Sequence, residues 1–270
     1  MILTGSGVFL DKLSDKRAFI EAGEGDFLQG VAVGEFRKPG SLDIALSWHQ
    51  GGQGVQLLSV PPDPAADLWT WQRISTTSQD EQLSAGHIEG TRDLDLLLGT
   101  KWLRNRKGEW TVHPLIQNPG TPDRNRLADL NADGRLDAVV GYEAVNRLGK
   151  LAWYEQPASP LSYWAEHIID NVIGPMSVDV GDLDQDGDLD VVVGEHNYQN
   201  PETARLMIFE NQDGRATAWK RHTIFTGDEH HDGAVLVDID QDGDQDIVSI
   251  GWKEPEVWLY ENLALNRANQ

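Results

Sequence analysis

Carboxylates set at alternate positions are the most chemically loaded feature of this chain. Three nine-residue windows carry them: DLNADGRLD at 129–137, DLDQDGDLD at 182–190 and DIDQDGDQD at 238–246. The windows hold 3, 5 and 5 Asp. Like charges packed this densely repel unless a cation neutralises them, and a hard divalent ion with oxygen ligands is the natural partner. Positions 1, 3 and 5 point side chains inward, and Gly at position 6 permits a sharp turn. A main-chain carbonyl at position 7 and the Asp at position 9 complete the shell. The first ligand set expected is Asp129, Asn131, Asp133, Arg135 (through its carbonyl) and Asp137. The second is Asp182, Asp184, Asp186, Asp188 and Asp190, and the third Asp238, Asp240, Asp242, Asp244 and Asp246. About three structural Ca2+ sites follow. A second concentration of chemistry is DEHHD at 228–232 together with EHN at 195–197. Imidazoles beside carboxylates suit general acid–base catalysis or a second divalent metal near His196, His230 and His231. Hydrogen-bonded loop residues are the ordinary alternative, since no HxxxH or HExxH spacing is present.

The elements that must position these groups are strands. An EF-hand would need a bidentate Glu at position 12, where the chain has Val140, Val193 and Ser249. The residues that close each loop, LDAVVG, LDVVVG and QDIVSIG, are β-branched runs ending in Gly, the composition of strands. Asp129, Asp182 and Asp238 recur at intervals of 53 and 56 residues. Two decayed copies lie upstream, EFRKPGSLD at 35–43 and HIEGTRDLD at 87–95. Both keep the ninth Asp and lose the inner ligands, so hairpins without metal are expected there. A second phrase, Trp-x-x-His-x-Ile/Leu, begins at Trp110, Trp164 and Trp219. Its His113, His167 and His222 read as structural. Aromatic strands lie at 151–155, 206–210 and 257–262.

Four antiparallel strands per unit, repeated in the same order, describe a propeller blade. The units 30–76, 82–116, 124–170, 176–225 and 233–262 predict one all-β domain over 1–270: a β-propeller of five four-stranded blades. Residues 17–23 would complete the last blade, closing the ring by pairing N- and C-terminal strands. The segment VFLDK at 8–12 resembles a further third strand, and a six-bladed ring is the alternative. With these motifs the chain resembles the FG-GAP/VCBS repeat proteins from about Phe27 to Asn262. The resemblance implies Ca2+ as a structural clip between the first two strands of the last three units. Such repeats occur in integrin head domains, lectin-like modules, polysaccharide lyases and aldos-2-ulose dehydratase, so the fold does not fix the function.

Strand direction places the metal hairpins on one face and the ends of the second strands on the other. That opposite face gathers Trp48, His49, Lys101, Trp102, Tyr142, Glu143, Glu195, His196, Asn197, Trp252 and Lys253 after second strands. Arg124 and the 228–232 run precede first strands. Convergent polar groups at a propeller mouth make the default pocket. His196, His230, His231, Glu195, Lys101 and Arg124 are the catalytic candidates. A His base would remove a proton next to a carbonyl, and Lys101, Arg124 or a bound cation would stabilise the enolate. Candidate ligand contacts are Trp48, His49, Trp102, Tyr142, Glu143, Asn197, Asp232, Trp252 and Lys253. The aromatic members would stack on sugar faces or pack between blades. The units agree on the metal face and diverge on the other, which favours one composite pocket. The expected function is a carbohydrate lyase, dehydratase or isomerase. The alternative is a non-catalytic module binding carbohydrate or protein.

Composition narrows the field. The 270 residues carry 22 Lys+Arg against 44 Asp+Glu, a formal charge of −22. Such a surface repels phosphate backbones, so nucleic-acid partners are excluded. No apolar run approaches the roughly 18–20 residues of a membrane span, so no membrane insertion is expected. Zero Cys removes disulfides, thiolate zinc sites and Cys nucleophiles. Loops that need calcium-rich surroundings point to a secreted or periplasmic home, although the first residues show no signal-peptide pattern.

Overall fold

The computed structural model describes residues 2–4, 7–9, 28–48, 54–64, 67–78, 81–252 and 256–264. Two compact units divide the chain: Met1–Pro119 with Pro160–Tyr163, and Gly120–Ser159 with Trp164–Gln270. In the first unit, β1 (Ile2–Thr4) pairs with β2 (Gly7–Phe9) as a separate hairpin. Val8 and Phe9 therefore belong to this ribbon and not to an extra blade. Blade 1 follows as β3 (Leu28–Gly34), β4 (Asp43–Trp48), β5 (Val55–Ser59) and β6 (Thr70–Ser75). Blade 2 is β7 (Ser84–Gly86), β8 (Asp95–Leu98), β9 (Lys101–Arg106) and β10 (Glu109–Pro114).

The second unit begins with blade 3: β11 (Pro122–Ala128), β12 (Asp137–Tyr142), β13 (Leu148–Glu155) and β14 (Ala165–Ile173). Blade 4 is β15 (Pro175–Gly181), β16 (Asp190–Glu195), β17 (Arg205–Asn211) and β18 (Trp219–Thr226). Blade 5 is β19 (Val235–Val237), β20 (Asp246–Ile250) and β21 (Val257–Tyr260). Each blade is an antiparallel meander, and the fold class is the five-bladed β-propeller of four-stranded sheets. Blade 5 has three strands among the described residues; the 17–23 segment expected to complete it lies outside them.

The second strand of each blade explains why the sequence reads as it does. β4, β8, β12 and β16 are buried at every residue. A strand covered on both faces needs a continuous apolar run rather than alternation. Alternation still decides which neighbour each side chain meets. Val191 and Val193 pack with Val139, Leu151 and Trp153 of blade 3, whereas Val192 packs with Ala234 and Ile247 of blade 5. The closing glycines admit the next chain segment. A Cβ on Gly194 would come within 2.5 Å of the His230 carbonyl oxygen, and one on Gly141 within 1.9 Å of that of Pro175.

The ninth Asp of the repeat opens the second strand in all five blades and is buried there. The two oxygens of Asp137 accept the N–H groups of Leu130 and Gln156. Asp190 takes those of Leu183 and Asn211, Asp246 those of Ile239 and Asn262, and Asp95 those of Glu89 and Asn105. In blade 1, Asp43 accepts the Arg37 N–H and is paired with its guanidinium. An Asn at the end of the third strand extends the latch to the preceding blade. Asn105, Asn211 and Asn262 each donate through Nδ2 to the carbonyl of Phe36, Leu130 and Leu183 respectively, at 2.7, 3.1 and 2.8 Å. The expected metal ligand is therefore also a fold element, which accounts for its presence in the decayed copies.

Candidate functional site

The three Asp loops share one backbone conformation. The N–H groups of Gly134, Gly187 and Gly243 donate to the first-position carboxylates of Asp129, Asp182 and Asp238, at 2.8, 3.1 and 3.2 Å. Fifth-position N–H groups donate to the side-chain oxygens of Asn131, Asp184 and Asp240, at 3.1, 3.2 and 3.2 Å. The glycines hold φ of 85°, 97° and 102°, a region costly for any residue with a Cβ. This turn aims the acids at one point. One oxygen from each of Asp182, Asp184 and Asp190 lies within 4.8 Å of the others, and the same holds for Asp238, Asp240 and Asp246.

Positions 1, 3 and 9 thus form the converging core. Asp186, Asp188, Asp242 and Asp244 stand outside these triads. In the first loop the corresponding set is Asp129, Asn131 and Asp137. There Arg135 pairs its guanidinium with Asp133 and donates from Nε to the Gln156 carbonyl at 2.9 Å. The donor set fits a hard cation: every ligand is an oxygen, and Asp182 Oδ1 is buried with no hydrogen-bond partner. Burial raises the carboxyl of Asp190 to about 6 and that of Asp137 to about 7. A divalent ion would reverse that penalty by favouring the charged form.

At the other end of β16, about 20 Å away at the usual rise per residue, a second group of side chains assembles between blades 4 and 5. His196 directs Nδ1 at Glu229 Oε1. The other Glu229 oxygen accepts the Trp252 N–H at 2.5 Å. The buried carboxylate is thereby fully committed and places a proton on His196 Nδ1, so that in the neutral ring Nε2 is the nitrogen with the lone pair. The His231 ring lies 4.1 Å from that of His196, centre to centre. Its Nδ1 is 2.9 Å from Asp232 Oδ1, to which Arg124 donates from Nη2 at 3.2 Å. Burial works to raise the Asp232 carboxyl, but His231, Arg124 and His196 together hold it below the usual carboxylate range. Two exposed rings flank the imidazoles: Tyr198 at 5.5 Å from His196, and Trp252 at 5.1 Å from His231.

Several expected site residues have other roles. Glu195 is fully buried and saturated: it accepts the N–H groups of Ile173 and Arg205 and a bidentate contact from the Arg205 guanidinium. It anchors strands and has no oxygen left for a substrate. His230 turns away from His196, sharing a 2.8 Å hydrogen bond between Nδ1 and Ser249 Oγ and packing on Phe225 and Tyr260. Desolvation lowers its basicity. The three histidines therefore do not converge as a ligand set, and the only groups of three or more potential ligands among the described residues are the two Asp triads. Asn197 donates to Thr203 Oγ1 and braces the short 3-10 helix Pro201–Thr203. Arg124 is engaged by both Asp123 and Asp232, so it supports His231 instead of offering an unpaired charge.

The expected aromatic platforms are corrected in the same way. Trp48 and Trp102 are fully buried, Trp48 among Ile44, Leu46 and Leu58. Lys101 and Trp102 fall on the third strand because β8 ends at Leu98 and turns at Gly99, whose φ is 62°. Tyr142 is buried, with its hydroxyl against that of Tyr154. Side chains in these positions cannot stack on a ligand. Glu143 is exposed and anchors its loop through its backbone N–H to Thr121. His49 and Lys253 lie outside the described residues. Sequence reasoning passed over Glu229 and Tyr198. Glu229 stood inside the 228–232 run, overshadowed by its histidines, and Tyr198 follows Asn197 with no repeat to mark it.

Residues 129–193 match the FG-GAP-like repeat family, and residues 174–216 match the FG-GAP repeat. No curated protein matches the chain.

Proposed function

We propose that this five-bladed propeller, which carries FG-GAP repeats, is a calcium-stabilised protein. Its working site is the His196–Glu229 pair between blades 4 and 5, and it acts on a hydroxylated ring compound of carbohydrate type. The observation that carries this reading is a buried carboxylate orienting an imidazole between two exposed aromatic rings. Glu229 fixes the tautomer, His196 Nε2 is the base, and the Trp252 and Tyr198 rings supply apolar faces for the C–H surface of a ring. The reaction class is proton removal next to a carbonyl or carboxylate, as in a lyase, dehydratase or isomerase. Calcium supplies structural neutralisation in the Asp loops, including the Asn131-containing first loop, and needs calcium-rich, extracytoplasmic surroundings.

Binding without turnover is favoured by one fact: His196 is only 5% exposed. The two readings separate on incubation with uronic-acid oligosaccharides. A lyase produces the ultraviolet absorbance of an unsaturated product, and His196→Ala abolishes it while Glu229→Gln lowers it by about 10²–10⁴-fold. Saturable binding with no product in the wild type would leave the binding module. Neither binding nor product with uronic-acid or neutral oligosaccharides would sink the carbohydrate reading.

A further inference from the structure

Blades 1 and 2 carry the two decayed loops, and a cavity of about 550 Å³ opens between them. That is the size of a small-molecule site. Its walls come from the segments that replace the metal ligands: Phe36, Arg37 and Lys38 on one side, His87, Arg92 and Leu94 on the other. Basic groups enter at positions where the intact loops have none. Where 182–190 presents five carboxylates and no base, 35–43 presents Arg37 and Lys38 beside Glu35 and Asp43, and 87–95 presents Arg92 beside Glu89, Asp93 and Asp95.

Not all of these charges are available to a ligand. Arg37 is tied to Asp43 through Nε at 2.8 Å. Glu35 and Asp93 also line the cavity and place two carboxylates at its rim; the Asp93 carboxylate accepts the Lys107 N–H at 3.3 Å. Among the described residues, the Lys38 ammonium and the Arg92 guanidinium have no carboxylate partner. That is notable in a chain with 44 acids and 22 Lys+Arg. Thr91 Oγ1 accepts the Asp93 N–H at 3.4 Å and keeps its own proton to donate. Phe36, almost fully buried, and Leu94 give the cavity an apolar side.

We propose that this cavity binds a small molecule carrying one oxyanion, a carboxylate or a phosphate monoester, on an apolar or ring-shaped body. Lys38 and Arg92 hold the oxyanion by charge-assisted hydrogen bonds, the Thr91 hydroxyl adds a donor, and Phe36 and Leu94 cover the body. The site is independent of His196 and of the Asp triads.

Calorimetric titration of the calcium-loaded full chain with phenyl phosphate and with benzoate tests it. Saturable one-to-one binding of at least one probe is expected, and which one binds identifies the oxyanion. Lys38→Glu and Arg92→Glu should each weaken binding about tenfold or more, with the melting temperature unchanged. His196→Ala should leave it intact, so failure here and failure of the His196 reading are distinct. Should a charge reversal lower the melting temperature, Lys38→Gln and Arg92→Gln take its place with the same weakening expected. Absence of saturable binding for both probes, or binding that survives both substitutions, overturns the proposal.

Discussion

The loops of blades 1 and 2 and those of blades 3, 4 and 5 begin from the same nine-residue plan and end with different chemistry. All five keep a buried Asp at position 9, because its two oxygens satisfy backbone N–H groups that would otherwise be stranded. In the last three loops positions 1 and 3 are both acid or Asn and the turn aims their oxygens at one point, whereas the left-handed φ of the position-6 Gly is kept in blade 1 as well, at Gly40. In the decayed loops those positions carry Glu35 and Arg37, or His87 and Glu89. Glu89 there serves Arg104 and Arg106 as an ion-pair partner, and these contacts draw its carboxyl below the usual range. One repeat thus carries two jobs: position 9 builds the blade in every unit, and in blades 4 and 5 positions 1 and 3 join it in a triad that could hold an ion.

The largest effect that would break this comparison is chelation. Cation binding to the native state adds stability by mass action. Removing calcium from two triads, each held at a hundredfold its dissociation constant, should cost about 5 kcal/mol, seen as a large drop in melting temperature. An unchanged melting curve in EDTA would show that the triads hold no ion.

Next comes a pair of substitutions that should divide the two jobs. Asp95→Ala leaves the N–H groups of Glu89 and Asn105 without an acceptor and should cost about 3 kcal/mol with or without calcium. Asp184→Ala should lower stability only when calcium is present, because Asp184 belongs to a triad but not to the latch. If both variants lost stability with the same calcium dependence, the division of labour would be wrong.

The smallest effect lies at the end away from the loops. His230 is buried and its basicity is lowered by desolvation, so the unfolded chain takes up a proton near pH 6.5 before the folded one does. Its contribution is present above pH 6.5 and is lost as pH falls from there toward its depressed folded value. Denaturation of the wild type against His230→Gln between pH 5 and 8, in constant calcium, should show the two curves converging on the acid side. Parallel curves would place that proton elsewhere.

Much of the molecule was legible from local spacing. Runs such as VVVG at 191–194 announce strands buried on both faces, and the Asp/Gly register announces the turn. Those features repeat, and repetition separates them from chance. The candidate site does not repeat, and there the reading went astray. Trp48 and Trp102 follow Ser- or Gly-ended runs and looked like rim residues, yet both are enclosed by packing. Glu195 looked like an acid beside a base, yet Arg205, ten residues on, consumes it. The histidine pair at 230–231 splits where the chain turns: His231 joins His196 while His230 goes to Ser249.

By itself the sequence determined the repeat, the strand order, the acidic turns and the all-β class, since each depends on residues within a few positions of one another. Only the tertiary structure decided that the ninth Asp latches the blades and that Glu229 orients His196 across 33 residues. It also decided which aromatic rings reach solvent. Those outcomes depend on how one blade face meets the next, and a side chain at a strand end carries no local mark of which neighbour will cover it.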